Sequence, residues 1–265
     1  MNWNMVSHEL RQNRRPFLTC LAVTLIFILL LLGKADAFVN NPEMEQLIKG
    51  LPNGLLKAFG IKPESFQTFE GYLATQVFPY FMVILSSFAA AWAAGSISKE
   101  RERGTGEYLF SLPYSRAVIF WSKAVAHWLH MTLVFGAGTG LLFLLAGTSG
   151  LSVETGHMLV LLFAGYLLTL SFMGIGYALT SWLPSDRTAV SLGAGIAVMA
   201  FLLNLLSGSS EMMHKLSAIS PYRLFDTLEI VKGSGLTAGG WIVTLGLYAA
   251  GTAAGVLTLK RRDIG

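Results

Sequence analysis

The chain has 265 residues, of which 53% are hydrophobic and 13% charged, with a formal net charge of +4. A soluble domain carries about 25% charged residues, and here the apolar residues come in blocks of membrane-spanning length rather than at core spacing. Those blocks exclude an ordinary soluble domain, and they make the positive balance an orientation signal at a membrane face rather than a nucleic-acid footprint.

Residues 3–15 set His8, Glu9, Arg11, Arg14 and Arg15 beside Trp3, Met5, Val6 and Leu10. The mixture fits an amphipathic helix lying in the membrane interface, and equally a basic flank that fixes topology. The first span is expected over about 16–33. Its stretch Phe17–Leu32 is longer than a signal-peptide core, and Ala35-Asp36-Ala37 resembles a cleavage site only superficially, so retention as an anchor is expected. The single cysteine, Cys20, lies in this run and leaves no intramolecular disulfide.

An outer segment, 34–73, follows. Met44, Leu47, Ile48 and Leu51 recur at helical spacing, Pro52-Asn53-Gly54 breaks the pattern, and Leu55, Leu56 and Phe59 resume it before Gly60. Two short amphipathic helices are expected, too small for a core of their own. Further spans are expected over about 74–97, 115–146, 157–182, 188–206 and 240–259. The turn Leu183-Pro184-Ser185-Asp186-Arg187 joins the fourth to the fifth, and a second outer segment covers 207–239.

With six spans, Arg11, Arg14, Arg15, Lys99, Arg101, Arg103, Arg116, Lys123, Arg187, Lys260, Arg261 and Arg262 fall on one side of the membrane. Lys34, Lys49, Lys57, Lys62, Lys215, Arg223 and Lys232 fall on the other. The richer side is the cytoplasmic one by the positive-inside rule, which puts both termini in the cytoplasm of a cell-membrane protein.

The richest feature is the polar island Ser98–Lys123 between the second and third spans. It opens with Lys99, Glu100, Arg101, Glu102 and Arg103 side by side. Each ionised side chain in hydrocarbon costs about 2.5–3.5 kcal/mol, so a loop over 98–114 is expected in water. Gly104-Thr105-Gly106 lead into Glu107–Leu112, about one and a half helical turns stopped by Pro113. Leu109 and Leu112 share a face, with Phe110 nearby. Such a helix can offer an apolar ridge to a partner's groove, or lie on its own bundle.

No stretch fits GxxxxGK followed by Ser or Thr, so the chain has no phosphate cradle of that type and no cofactor is expected on it. ATP-driven work would need a separate ATPase. His127 and His130 share a helix face but have no Cys, Asp or Glu within a turn to complete a metal site. They read as polar residues between helices or along a substrate path, as does Asn204. The glycines at 136, 138, 140, 174, 176, 193, 195, 251 and 255 read as smooth helix-packing faces.

The residues Glu102-Arg103-Gly104-Thr105, Glu107, Leu109, Ser111-Leu112-Pro113 and Ser115-Arg116, with Lys123 after them, resemble the loop between the second and third spans of ATP-binding cassette (ABC) type-2 exporter permeases. LPNGLLKAFGI, SPYRLFD and the ending KRRDI add to the likeness, which runs over essentially the whole chain. Gly106 stands where a leucine or similar helix former is usual, and Phe110 replaces a second leucine.

The resemblance implies an all-α, polytopic six-span permease bundle without catalytic activity of its own. Glu102, Arg103, Gly104, Thr105, Glu107, Leu109, Leu112, Pro113 and Arg116 would form a coupling helix and its flanks, seated on an ABC ATPase subunit that uses the ATP. A second permease copy or paralogue would complete a dimer among membrane lipids. Residues 3–15 would be a connecting helix, and the second outer segment would dip partly into the membrane. Two other readings stay open. An ion-gradient transporter wants ionisable residues at mid-membrane, where the spans offer His127 and His130. A non-transporting immunity or sensor protein could use the same scaffold.

Overall fold

The computed structural model describes residues 2–33, 35–39, 41–58, 62–151, 153–180, 182–183 and 185–261, with the backbone only at 53, 57, 58, 107 and 110. Phe59, Gly60 and the last four residues, including Arg262 and Asp263, lie outside them. Among the described residues every regular element is helical, as the apolar blocks require. Without water, only a helix or a closed barrel satisfies the backbone.

Two helices open the chain, α1 (Trp3–Gln12) and α2 (Arg14–Leu32). Short α3 (Pro42–Lys49) and α4 (Asn53–Ala58) follow. Then come α5 (Phe69–Glu102), the six-residue α6 (Gly106–Ser111), α7 (Arg116–Thr148), α8 (Thr155–Thr180), α9 (Asp186–Leu205), short α10 (Glu211–Leu216) and α11 (Ala238–Arg261). Six of these, α2, α5, α7, α8, α9 and α11, are long and apolar enough to cross a membrane. The protein is an all-α, multi-pass membrane protein.

Helix α5 departs from the length that hydropathy suggests at both ends. It starts at Phe69 and passes through a π-helical turn at Leu73–Val77. Pro79, just beyond, has no N–H to give the ladder, which is a recognised cause of such a turn. At the other end the helix runs on through Ser98–Glu102, so the charged run belongs to a helix whose last turn carries Lys99 and Arg101.

Helices α5 and α8 are central. The sequence FAAAWAAG, 88–95, gives α5 a small-residue flank on which two neighbours close in. A Cβ on Gly193 of α9 would meet the Ala90 carbonyl oxygen at 2.7 Å, and one on Gly176 of α8 would collide with that same carbonyl group. On the other side of α8, Gly174 and Gly251 of α11 leave no room for a side chain on either. The order α9–α5–α8–α11 is thus set by small residues at each crossing. Gly136, Gly140 and Gly195 face open space instead, so they serve no packing within this chain.

A second group, α1, α2 and α7, packs against this row through α5, and α7 also meets α11. At the end opposite α6, the segment between α10 and α11 folds back on the bundle. Ser220 Oγ donates to the Ala200 carbonyl (2.8 Å), and Tyr222 packs its ring against Phe172 and Phe201. Arg223 clasps Ser217 Oγ (2.8 Å) and the His214 ring (2.7 Å). The SPYRLFD stretch therefore packs on the end of α9 and reaches inward to the middle of α8.

Candidate coupling site

The polar island is built from local signals outward. Gly104, at φ 68°, ends α5 in the left-handed conformation that glycine adopts without a Cβ penalty. Its N–H reaches the Arg101 carbonyl (3.1 Å) and the Thr105 N–H reaches the Glu100 carbonyl (3.0 Å). This pair of bonds is the Schellman closure of a helix. The chain then turns at once into α6, whose first backbone bond runs from the Leu109 N–H to the Thr105 carbonyl (2.9 Å). Leu112 is extended (φ −63°, ψ 149°), as the residue before a proline tends to be. Ser115 caps α7 by accepting from the Val118 N–H (3.3 Å).

Below this turn lies a buried ion cluster. Lys123 Nζ of α7 pairs with Glu100 of α5 (2.8 Å) and with Glu9 of α1, and all three side chains are buried. Thr105 Oγ1 donates to the second oxygen of Glu100, so the residue opening α6 is tied to the same carboxylate. Asn13 donates to Glu9 (3.1 Å) and accepts from Lys99 Nζ (2.7 Å). Ser122 Oγ accepts from the Asn2 backbone N–H (3.3 Å). One lysine thus joins three helices and the start of a fourth. Leaving a buried charge without its partner costs about 3–5 kcal/mol, so these helix ends are bound to move as a set.

The neighbouring ends are fastened too. Glu102 accepts from the Asp186 N–H (2.6 Å), putting a carboxylate at the positive N-terminus of α9. Arg116 donates to the Leu259 carbonyl in the last turn of α11 (3.1 Å). Ser98 Oγ donates to the Thr180 carbonyl (3.0 Å), and the Ile97 N–H donates to Thr180 Oγ1 (3.0 Å), at the end of α8. Glu102 and Arg116 therefore hold other spans. Arg103, Gly104, Thr105 and Pro113 are exposed, while Leu109 and Leu112 are half-buried. The side chain of Glu107 lies outside the described ones. Among the described side chains of α6, Tyr108 is the most prominent, 72% exposed.

The remaining polar residues of the spans lie elsewhere. His127 is buried, with Nδ1 3.4 Å from the Tyr177 hydroxyl. His130 stacks on Phe17 with ring centroids 4.6 Å apart. The two rings thus address different helices, and no group of three metal-ligating side chains occurs among the described residues. Asn204 lines two cavities at the opposite end, of about 350 and 300 Å³, shared with Pro79, Phe201 and Asp226.

Sequence reasoning left Glu9, Glu100 and Lys123 out of the site. The available signal was Lys123 itself, an amine set among Ile119, Phe120, Ala124 and Val125 on a helix that must enter hydrocarbon, where it needs a counter-charge.

A family model for ABC-2 family transporter proteins matches residues 3–264, nearly the whole chain. The chain belongs to that family. No curated protein matches it. The protein is accordingly an ABC-type permease, a membrane component of transport of the kind that generally works with an ABC ATPase. The ion cluster and the exposed α6 lie at one and the same end of this permease.

Proposed function

We propose that the permease moves its substrate out across the cell membrane, driven by ATP hydrolysed in a separate ABC ATPase chain that docks on α6 with both permease termini in the cytoplasm. A second permease, identical or paralogous, would complete the pathway. The observation that carries this reading is the attachment of α6. A short exposed helix is fixed through Thr105 and Glu100 to Lys123 and Glu9, so a push on α6 reaches α1, α5 and α7 without an intervening flexible link. Gly104 supplies the turn between α5 and α6, and Glu102 and Arg116 extend the same framework to α9 and α11.

The test has two arms in the full-length protein. A Thr105→Cys variant should react with a membrane-impermeant maleimide only from the cytoplasmic side; reaction from outside overturns the orientation. Deletion of residues 104–113 should leave membrane insertion intact while abolishing co-purification of a Walker-motif ATPase. Retention of the complete complex after that deletion overturns the docking.

A further inference from the structure

A cavity of about 530 Å³ opens between the α1–α2 junction, α5, α7 and α9 at the same end as α6, and its walls are strongly basic. Arg11, Arg14, Arg15, Lys99, Arg103 and Lys123 contribute to it, against two carboxylates, Glu9 and Asp186. Lys123 is already neutralised by Glu9 and Glu100, and Lys99 is held by the Asn13 amide. Among the described residues no carboxylate forms an ion pair with Arg11, Arg14, Arg15 or Arg103; all four are exposed at the rim of this space, Arg103 in the neighbourhood of Asp186 and the other three without a carboxylate partner.

Two further features point the same way. Helix α2 begins with Arg14 and Arg15 and has no acidic residue in its first turn, so it sets positive charge on the positive end of its own dipole. Its cap residue Asn13 makes no side-chain capping bond to it, because that amide is engaged by Glu9 and Lys99. Arg14 and Arg15 are exposed, so water solvates them in the free protein, and an anion arriving at this helix end would meet positive charge that no acidic residue of the first turn offsets. The cavity wall also turns apolar, through Pro16, Trp92 and Val190, where α2 enters its membrane-spanning run. A charged mouth above an apolar wall at the membrane boundary suits an amphiphile with an anionic head.

We infer that this cavity is a binding site for a phosphate group, held by the arginines of the α1–α2 junction and supplied by the headgroup of an anionic phospholipid or by a free phosphate anion. Guanidinium forks bind phosphate oxygens in pairs, which gives geometry as well as charge. The inference rests on the spans crossing a membrane and not on ATPase docking.

The experiment is native mass spectrometry of the full-length permease, released from detergent containing equal amounts of phosphatidylglycerol and phosphatidylcholine. Wild type should retain phosphatidylglycerol preferentially. Arg14→Gln/Arg15→Gln should reduce that preference about 25-fold, and Arg11→Gln alone about fivefold, whereas Lys215→Gln at the opposite end should leave it unchanged. A parallel thermal melt with millimolar inorganic phosphate distinguishes the sources. Phosphatidylglycerol retention that phosphate does not displace identifies the lipid, and a rise in melting temperature with phosphate alone that is lost in the arginine variants identifies the free anion. If the double variant does not reach the membrane, Arg11→Gln carries the same comparison. Equal retention of the two lipids with no response to phosphate overturns the inference, as does a preference that survives every arginine substitution.

Discussion

The two ends of the permease handle charge in opposite ways. At the end bearing α6, Glu9, Glu100 and Lys123 are 7%, 6% and 2% exposed and join segments far apart in the chain. At the other end the ion pairs Lys215–Glu211 and Lys49–Glu45 lie in the open, each within one helical turn, and Lys232 makes exposed pairs with Glu64 and Glu229. Exposed pairs contribute little because water already solvates both partners. A buried pair is different. It fixes which helices meet, since each charge has nowhere else to go. The far end accordingly relies on the Tyr222–Phe172–Phe201 ring cluster and the Ser220 anchor for its order. The contrast teaches that the α6 end is cross-tied by buried charge, whereas the opposite end holds its shape through apolar contact.

The sharpest way to break the contrast is Lys123→Met, which strands two carboxylates in the buried cluster. A loss of about 3–5 kcal/mol is expected, read as a lowered melting temperature and reduced monodisperse yield in detergent. Replacing the whole cluster with apolar side chains, Glu9→Leu/Lys123→Met/Glu100→Leu, should restore most of that stability without restoring transport. Stability and transmission would then separate in one series, and full transport by this triple variant would remove the cluster from the mechanism.

Next in size is Gly104→Ala. A Cβ at φ 68° costs about 1–2 kcal/mol, and the strain falls on the turn that aims α6. ATPase activity stimulated by the permease should drop more than the permease's own melting temperature. Gly106→Ala should act the other way. A Cβ there meets nothing nearer than the Glu100 carbonyl at 3.7 Å, so stiffening α6 should gain about 0.5–1 kcal/mol in helix stability, seen as slower amide exchange over 106–111. At the far end, Lys232→Ala breaks two exposed pairs and should change stability by about 0.2–1 kcal/mol, diminishing with added salt. An effect there as large as that of Lys123→Met would erase the comparison.

Much of the local framework was legible beforehand because its causes are local. Pro113 and Gly104 bracket a short helix whatever the rest of the chain does, and Ser115 and Ser185 announce helix starts three residues ahead of the N–H groups they cap. The extent of α5 was less legible. Hydropathy alone ends a span at the first charge, but a helix continues as long as its backbone bonds do, and Ser98–Glu102 stay helical because their polar groups find partners on α8, α7 and α9. The glycines show the same limit. Gly174, Gly176, Gly193 and Gly251 are used at crossings, whereas Gly136, Gly140 and Gly195, no different in the sequence, face open space.

From the amino-acid order come six apolar lengths, the caps and breaks between them, and a motif in the second loop that resembles one permease family. Those properties depend on neighbours a few residues away, so periodicity and composition are enough to state them. The tertiary structure alone decided that Lys123 answers to Glu9 and Glu100, that Glu102 caps α9, and that four arginines border one cavity. Glu9 is 114 residues from Lys123 along the chain. No local pattern encodes such a pairing; it exists because a buried charge must be neutralised by whatever the packing of the helices brings within reach.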